Sequence, residues 1–274
     1  MIQLIALATC GVLIGVSLGA VGAGGSILAV PVLVYIAGEE PKQATASALV
    51  VVLITAVIAL RPHWVARRVR LDIALPFAGA GVAGALVGKS LSERLDANVL
   101  MLCFSGVMVS AAVLMGLRAR STLAPATPTG HVDGSPSSRG MAPASSLVKT
   151  NATSKILGVG MLVGLMTGFF GVGGGFVIVP ALVLLLGLPM TESVGTSLVI
   201  VAINSAVTFG LKSRGLSLDW HVIATFAMAA TVGASFGGAV SRRFDGKTLT
   251  KWFVGMVIAV AIYTATRSVM ALAG

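Results

Sequence analysis

The chain has 274 residues, of which 56% are hydrophobic and only 10% are charged, with a mean hydropathy of +1.00. A soluble globular domain carries about 25% charged residues, so this composition excludes one and predicts a protein embedded in lipid. The net charge of +10 does not indicate nucleic-acid binding, because the basic residues form short clusters between apolar runs, a pattern that orients membrane proteins.

Apolar segments follow one another along the chain, five in each half. They cover about 2–21, 26–37, 42–60, 71–92 and 97–117, then 155–171, 175–187, 190–211, 219–241 and 248–272. Most have the ~20 residues that a spanning helix needs, but 26–37 and 175–187 are shorter and are predicted to be half-helices or re-entrant legs. The first segment is interpreted as a retained helix rather than a signal peptide, because no Lys or Arg precedes Lys42.

The two halves are joined by residues 119–154, which are rich in Pro, Ser, Thr and Gly and lack a hydrophobic period. This composition predicts a flexible linker. The predicted organisation is therefore a first membrane repeat at 1–118, a cytoplasmic linker at 119–154 and a second membrane repeat at 155–274.

The two halves repeat one another at an offset of 149 residues. An odd number of segments in each repeat makes the second copy enter the membrane from the opposite side. The sequence thus predicts an all-α integral membrane protein of two inverted repeats, with Gly-rich broken or re-entrant helices meeting near mid-membrane. The residues that recur 149 positions later are Gly11, Gly15, Gly19, Gly22, Gly24, Gly25, Pro31, Gly38, Leu49, Gly84, Gly88, Arg94, Asp96, Gly106 and Arg118.

The basic residues predict the orientation, because Lys and Arg are enriched on the cytoplasmic side of membrane proteins. One arrangement places thirteen of the nineteen on one side, with both termini outside the cell, and predicts a multi-pass protein of the inner (plasma) membrane. The thirteen are Arg61, Arg67, Arg68, Arg70, Arg118, Arg120, Arg139, Lys149, Lys155, Arg242, Arg243, Lys247 and Lys251.

Glycines spaced by four residues predict close helix packing. Gly11, Gly15 and Gly19 share one helical face, and their counterparts at 160, 164 and 168 do the same. A face of glycines lets a neighbouring backbone approach closely. The pairs Gly84 and Gly88, and 233 and 237, are interpreted in the same way, as packing surfaces rather than ligand sites.

Consecutive glycines at 22–26 and 171–175 predict two breaks in the helices. Lipid cannot satisfy the freed backbone groups, so each break must face protein or water. A short helix follows each break, and its free N–H groups and positive dipole end favour an anion. Pro31 and Pro180 either remove a hydrogen bond to the carbonyl four residues earlier or lie in the first turn of a helix.

A stripe of hydroxyl and amide side chains follows each break in an otherwise apolar span. Thr55 and Asn204 occupy equivalent positions in the two repeats, and an amide at mid-span is costly unless it has a partner. We therefore predict a substrate site between the two breaks, with no catalytic residue. The predicted substrate-binding residues are Gly24, Gly25, Ser26, Ser47, Thr55, Gly173, Gly174, Gly175, Thr196, Ser197 and Asn204.

No carboxylate is expected near the middle of the membrane. Asp72 and Asp219 stand where helix N-caps belong, and the histidines, His63 included, are expected at the surface. The sequence therefore offers no evident group for proton or sodium coupling, no metal site and no cofactor site. The nine acids, all in predicted loops or helix ends, are Glu39, Glu40, Asp72, Glu93, Asp96, Asp133, Glu192, Asp219 and Asp245.

The pattern Gly-x-Gly-Gly-[Ser/Gly]-x4-Pro occurs at 22–31 and at 171–180, each time followed by a Thr/Ser helix at 44–48 and 193–197. This duplicated pattern resembles the TauE/SafE family of sulfite and organosulfonate exporters, and the resemblance covers both halves without the linker. The second copy follows the family pattern more fully, since the first has Ser26 in place of a third glycine.

The resemblance implies export of small sulfur oxyanions such as sulfite, sulfoacetate or related sulfonates. A negative-inside potential favours anion exit by ~2.3 kcal/mol per charge per 100 mV, so export would need no ion-coupling group. The alternatives are a permease for another anion such as a carboxylate, an intramembrane Ser-His protease, and a non-transporting subunit. The expected partners are the anion and the lipid bilayer, and assembly into a homo-oligomer is left open.

Overall fold

The computed structural model describes residues 2–22, 26, 28–92, 106–107, 109–111, 113–115, 117, 145–170, 175–212, 218–245, 248–255 and 257–258. Every regular element in these ranges is helical. The elements are α1 (Ile2–Val21), α2 (Ala29–Tyr35), α3 (Pro41–Val65), α4 (Leu71–Ser92), α5 (Ser145–Phe170), α6 (Gly175–Pro180), a π-helix (Ala181–Leu185), α7 (Met190–Lys212) and α8 (Trp220–Arg243).

Four of these helices are long and apolar enough to cross a membrane: Lys42–Val65, Leu71–Gly88, Met190–Leu211 and Trp220–Ala239. Large apolar side chains such as Leu211, Met228 and Phe236 are each 60% or more exposed. Such exposure is unfavourable in water and typical of a surface that contacts lipid. The length of the helices and the apolar exterior therefore agree with a multi-pass membrane protein.

Glycine contacts join α1 to α8 and α4 to α5, the two most extensive helix pairs among the described residues. A Cβ at Gly15 would lie 1.9 Å from the carbonyl oxygen of Ala230, and one at Gly164 would lie 2.0 Å from that of Gly81. In the same way, Gly19 lies against Ala234, and the equivalent contact in the other pair of helices joins Gly168 to Ala85. The packing role predicted for the glycines is confirmed, and each contact recurs with both residues moved by 149 positions.

Helices α3 and α7 form the centre of the bundle and run antiparallel. Near the end of α3, His63 lies against Gly195 near the start of α7. At the opposite end, the Asp219 charge, just after α7, acts on Glu39, just before α3. The core of α7 includes Val194, Leu198 and Ile200, none of which is exposed.

Helix α2 and the π-helix end with the same turn. Gly38 and Gly187 both have φ +73°, the left-handed conformation that glycine adopts without strain. In the first half, the N–H of Glu39 donates to the carbonyl of Leu33 at 3.2 Å. In the second half, the N–H of Leu188 donates to the carbonyl of Leu182 at 3.0 Å. This turn reverses the chain between each short helix and the long helix that follows.

Several boundaries differ from the sequence prediction. Helix α3 extends to Val65, with Pro62 inside it, so the first residues of the predicted basic loop are helical. Helix α5 begins at Ser145, inside the predicted linker, because no proline lies between Pro143 and Pro180 and a helix propagates readily from an apolar span. The N-cap prediction for Asp72 is wrong, since this residue lies inside the first turn of α4.

Candidate functional site

The first Gly-rich break begins at Gly22, beside the first turns of α7. Gly22 has φ +81°, and its N–H donates to the carbonyl of Leu18 at 2.9 Å. A Cβ at this position would lie 2.6 Å from Ser197 Oγ and 3.2 Å from the carbonyl oxygen of Val194. Only glycine fits here, because both the backbone conformation and the close approach exclude a side chain.

Thr196, one residue before Ser197, is fully buried and connects α7 to the start of α4. Its hydroxyl oxygen accepts the backbone N–H of Arg70 at 3.1 Å. The guanidinium of Arg70 pairs with Asp72 at 3.0 Å and with Glu192 at 3.6 Å. The contact therefore closes this end of the bundle with one partly buried hydrogen bond and a largely exposed ion-pair network.

His63 lies inside the bundle and is not a surface residue. The side chain is fully buried, and Nε2 is 3.2 Å from the carbonyl oxygen of Gly19. The expectation of a peripheral histidine was wrong because α3 continues past the apolar run, and glycines on its neighbours make room. A Cβ at Gly195 would come within 3.2 Å of the His63 Cβ.

The buried hydroxyls differ in what they can still donate. Thr55 and Ser197 donate to carbonyls of their own helices, at 2.6 Å and 2.8 Å. The Oγ atoms of Ser47 and Ser193 are buried and have no hydrogen-bond partner, and Thr196 accepts a bond that leaves its own hydrogen unused. A hydroxyl has one hydrogen to donate, so Ser47, Ser193 and Thr196 are the better anion donors.

Asn204 lies farther along α7. It is seven residues after Ser197, which is about 10.5 Å at 1.5 Å per residue. Its Oδ1 is buried without a partner, and its Nδ2 lies 3.8 Å from where a Cβ of Gly81 would stand. An unpaired buried amide oxygen is costly, so Asn204 stays a candidate for substrate binding.

Ser47 lies at the other end of the bundle, beside Glu39. Both oxygens of the Glu39 carboxyl are buried, and neither has a partner at hydrogen-bond geometry among the described residues. Burial raises the pKa of Glu39 from its usual 4.5; the nearby Ser47 hydroxyl partly opposes this shift, and the charge of Asp219 adds to it. Glu39 is thus a partly buried acid whose two carboxyl oxygens are shielded from solvent, in a position that the sequence analysis assigned to an ordinary loop.

The structure therefore does not bring all predicted site residues together. Thr196 and Ser197 lie with Gly22 at one end, while Ser47 lies at the other end and Thr55 and Asn204 lie between. Ser26 and Gly175 are buried. Four predicted residues lie outside the described part of the chain: Gly24, Gly25, Gly173 and Gly174.

Sequence reasoning missed Ser193, His63 and Glu39 as buried polar groups. Ser193 belongs to the motif at 193–197, so its hydroxyl could have been included. His63 lies two residues after Arg61 and Glu39 directly before Glu40, and only tertiary packing shows that the two side chains turn inward. Across the described residues, no group of three or more His, Cys, Asp or Glu side chains could hold a metal ion.

Comparison with known proteins identifies the family. The profile of the sulfite exporter TauE/SafE family matches residues 7–264. A probable membrane transporter protein of Xylella fastidiosa (strain 9a5c) is 35% identical, with 94% of this chain and 93% of the relative covered. A probable membrane transporter protein, YunE, of Bacillus subtilis (strain 168) is 25% identical over 93% of each chain. No solved structure matches. The chain belongs to the TauE/SafE family of membrane transporters.

Proposed function

We propose that this transporter exports small sulfur-containing anions, such as sulfite, sulfoacetate or a related sulfonate, from the cytoplasm. The observation that carries the proposal is the set of buried, uncharged donors on α7. The hydroxyls of Ser193 and Thr196 each keep a hydrogen to donate, the Asn204 side chain carries an amide NH₂ group beside its unpartnered Oδ1, and Gly22 holds the first break against the same helix.

Uncharged donors suit this substrate class. A pyramidal or tetrahedral oxyanion presents several acceptor oxygens, and hydroxyl, amide and backbone N–H groups can bond to them without a fixed countercharge. Tight neutralisation by a cation would slow release, whereas the charge of Arg70 is already shared by Asp72 and Glu192. The backbone N–H groups at 24–26 and 173–175 complete the proposed site.

The proposal includes two inverted repeats, 1–118 and 155–274, joined by the linker 119–154. Helices α3 and α7 occupy equivalent places in the two repeats and run antiparallel, which supports inversion. The glycine contacts are a second support. Gly15 approaches Ala230 and Gly164 approaches Gly81, and a two-fold axis between the repeats would relate these two contacts. The repeats would then surround a site near the middle of α3 and α7.

The proposed location is the inner (plasma) membrane, with the linker 119–154 cytoplasmic and both termini outside. The bias of Lys and Arg supports this orientation. Cysteines introduced one at a time into the linker should resist an impermeant thiol reagent in intact cells and react after the cells are opened. Ready labelling of intact cells would contradict the orientation.

Binding to the purified protein tests the substrate. Sulfite and sulfoacetate should bind more tightly than sulfate, taurine or acetate, and preferential binding of acetate would favour the carboxylate alternative. Asn204→Ala should weaken binding of a charged ligand by roughly 1.5–3 kcal/mol, or about ten- to a hundred-fold. Gly174→Val should block binding by adding a side chain where the anion approaches. Unchanged affinity in both folded variants would place the site elsewhere.

A further inference from the structure

Two polar side chains near the α2–α3 turn, Glu39 and Ser47, lie at the opposite end of the bundle from Thr196 and Ser197. Both oxygens of Glu39 are buried without a hydrogen-bond partner, and so is the Oγ of Ser47, a residue that is 0% exposed. An ionised carboxylate whose oxygens are shielded from water is unfavourable unless something neutralises it. The Ser47 hydroxyl lies near the carboxylate but carries no charge, and the ion pairs among the described residues do not include Glu39, so the carboxylate lacks a positive counterion.

We propose that Glu39, with Ser47 beside it, is a proton-binding site linked to anion transport through the short helix α2. The proton bonds to one carboxylate oxygen of Glu39, which removes the buried charge and creates an O–H group. That O–H can donate to Ser47 Oγ, and each side chain then has a partner.

The surroundings of Glu39 favour protonation over an ion pair. From α8, Asp219 contributes a second negative charge, although it also caps the helix by accepting the N–H groups of His221 and Val222 at 2.9 Å and 3.3 Å. In sequence, Glu40 and Lys42 flank the turn and both are exposed. In the described part of the chain, the ion pairs that form do not include Glu39.

The backbone ties this site to the first break. The N–H of Glu39 donates to the carbonyl of Leu33, a fully buried residue of α2. Helix α2 is seven residues long, about 10.5 Å, and connects the turn to the break that begins at Gly22. The proposed link runs through this short helix, from the charge at the turn to the break. By linkage, anion binding must then alter proton binding by the same factor.

Thermal unfolding at several pH values tests the proton site without any anion. Because the folded pKa is raised, the stability from this group is greatest below pH 4.5 and falls as the pH rises through the raised pKa. We expect the Tm of the parent to fall by about 2–4 °C over that interval. The fall should disappear in Glu39→Gln and persist in Glu40→Gln, a matched control at the exposed neighbour. An unchanged fall in Glu39→Gln would overturn the proposal.

Sodium is the competing ligand for a buried carboxylate. Replacing KCl by NaCl at fixed pH should leave the Tm unchanged. A rise in Tm with NaCl that Glu39→Gln abolishes would show a sodium site and overturn the assignment to a proton.

The link to transport rests on the proposed function and is tested separately. Sulfoacetate is a suitable probe, because carboxylic acids titrate near pH 4 and its charge is constant above about pH 6. At pH values above 6, its affinity should change across the interval in which the Tm of the parent falls, and it should not change in Glu39→Gln. If sulfoacetate fails to bind while the stability result holds, the proton site stands and the substrate is wrong. If it binds both proteins with the same pH dependence, the link is wrong and the substrate proposal survives.

Discussion

Gly164→Ala should separate two helices that touch through their backbones. The added Cβ would lie 2.0 Å from the carbonyl oxygen of Gly81, whereas ordinary contacts begin at 3.4 Å. Helices α4 and α5 must therefore move apart by about 1.4 Å. A gap of 0.5–1 Å already loses a quarter to a half of the dispersion energy of the atoms that face it. Overpacking of this kind costs about 1–3 kcal/mol.

Gly158→Ala is the matched control on the same helix, because nothing lies within 4 Å of its added Cβ. Alanine is about 0.5–1 kcal/mol better than glycine inside a helix, so this variant should be slightly more stable than the parent. Unfolding in detergent should therefore separate the two variants by about 1.5–4 kcal/mol, and Gly15→Ala should match Gly164→Ala. Equal stability of the 158 and 164 variants would refute the packing of α4 on α5.

Three further predictions concern stability. Gly22→Ala should cost more than Gly38→Ala, because both have positive φ but only the first would meet a serine hydroxyl, 2.6 Å away; equal losses of Tm would contradict the close approach. Thr196→Val should cost about 0.5–1.5 kcal/mol by leaving the partly buried N–H of Arg70 without its acceptor. Thr55→Val should cost less, since its hydroxyl only donates to its own helix; the same denaturation assay ranks the two variants.

Most helices could be predicted from the sequence, because apolar length and Gly or Pro punctuation mark their cores and turns. The end of α3 could not, since Arg61, Pro62 and His63 look like a loop. They remain helical because neighbouring helices present glycines: a Cβ at Gly238 would lie 2.7 Å from Pro62 Cγ, and Gly195 lies against His63. Such accommodation depends on residues far away in the chain.

The residue types of the site could be predicted, but the positions of these residues along the bundle could not. Ser47 and Thr196 are equivalent residues of two repeats, which suggested one shared site. Because α3 and α7 run antiparallel, equivalent residues near their first turns lie at opposite ends of the bundle. Thr55 and Asn204, near the middle of each helix, are the equivalent pair that antiparallel packing keeps at the same depth.

Anion flux in proteoliposomes tests the central claim most directly. Purified protein reconstituted with sulfite inside should release it when the interior is made negative, and a potential of 100 mV should favour release by ~2.3 kcal/mol per charge. Release should not require sodium, should exceed that of acetate, and should fall strongly in Asn204→Ala. Release of acetate in preference to sulfite, or no release of either anion by folded protein, would contradict sulfur-anion export.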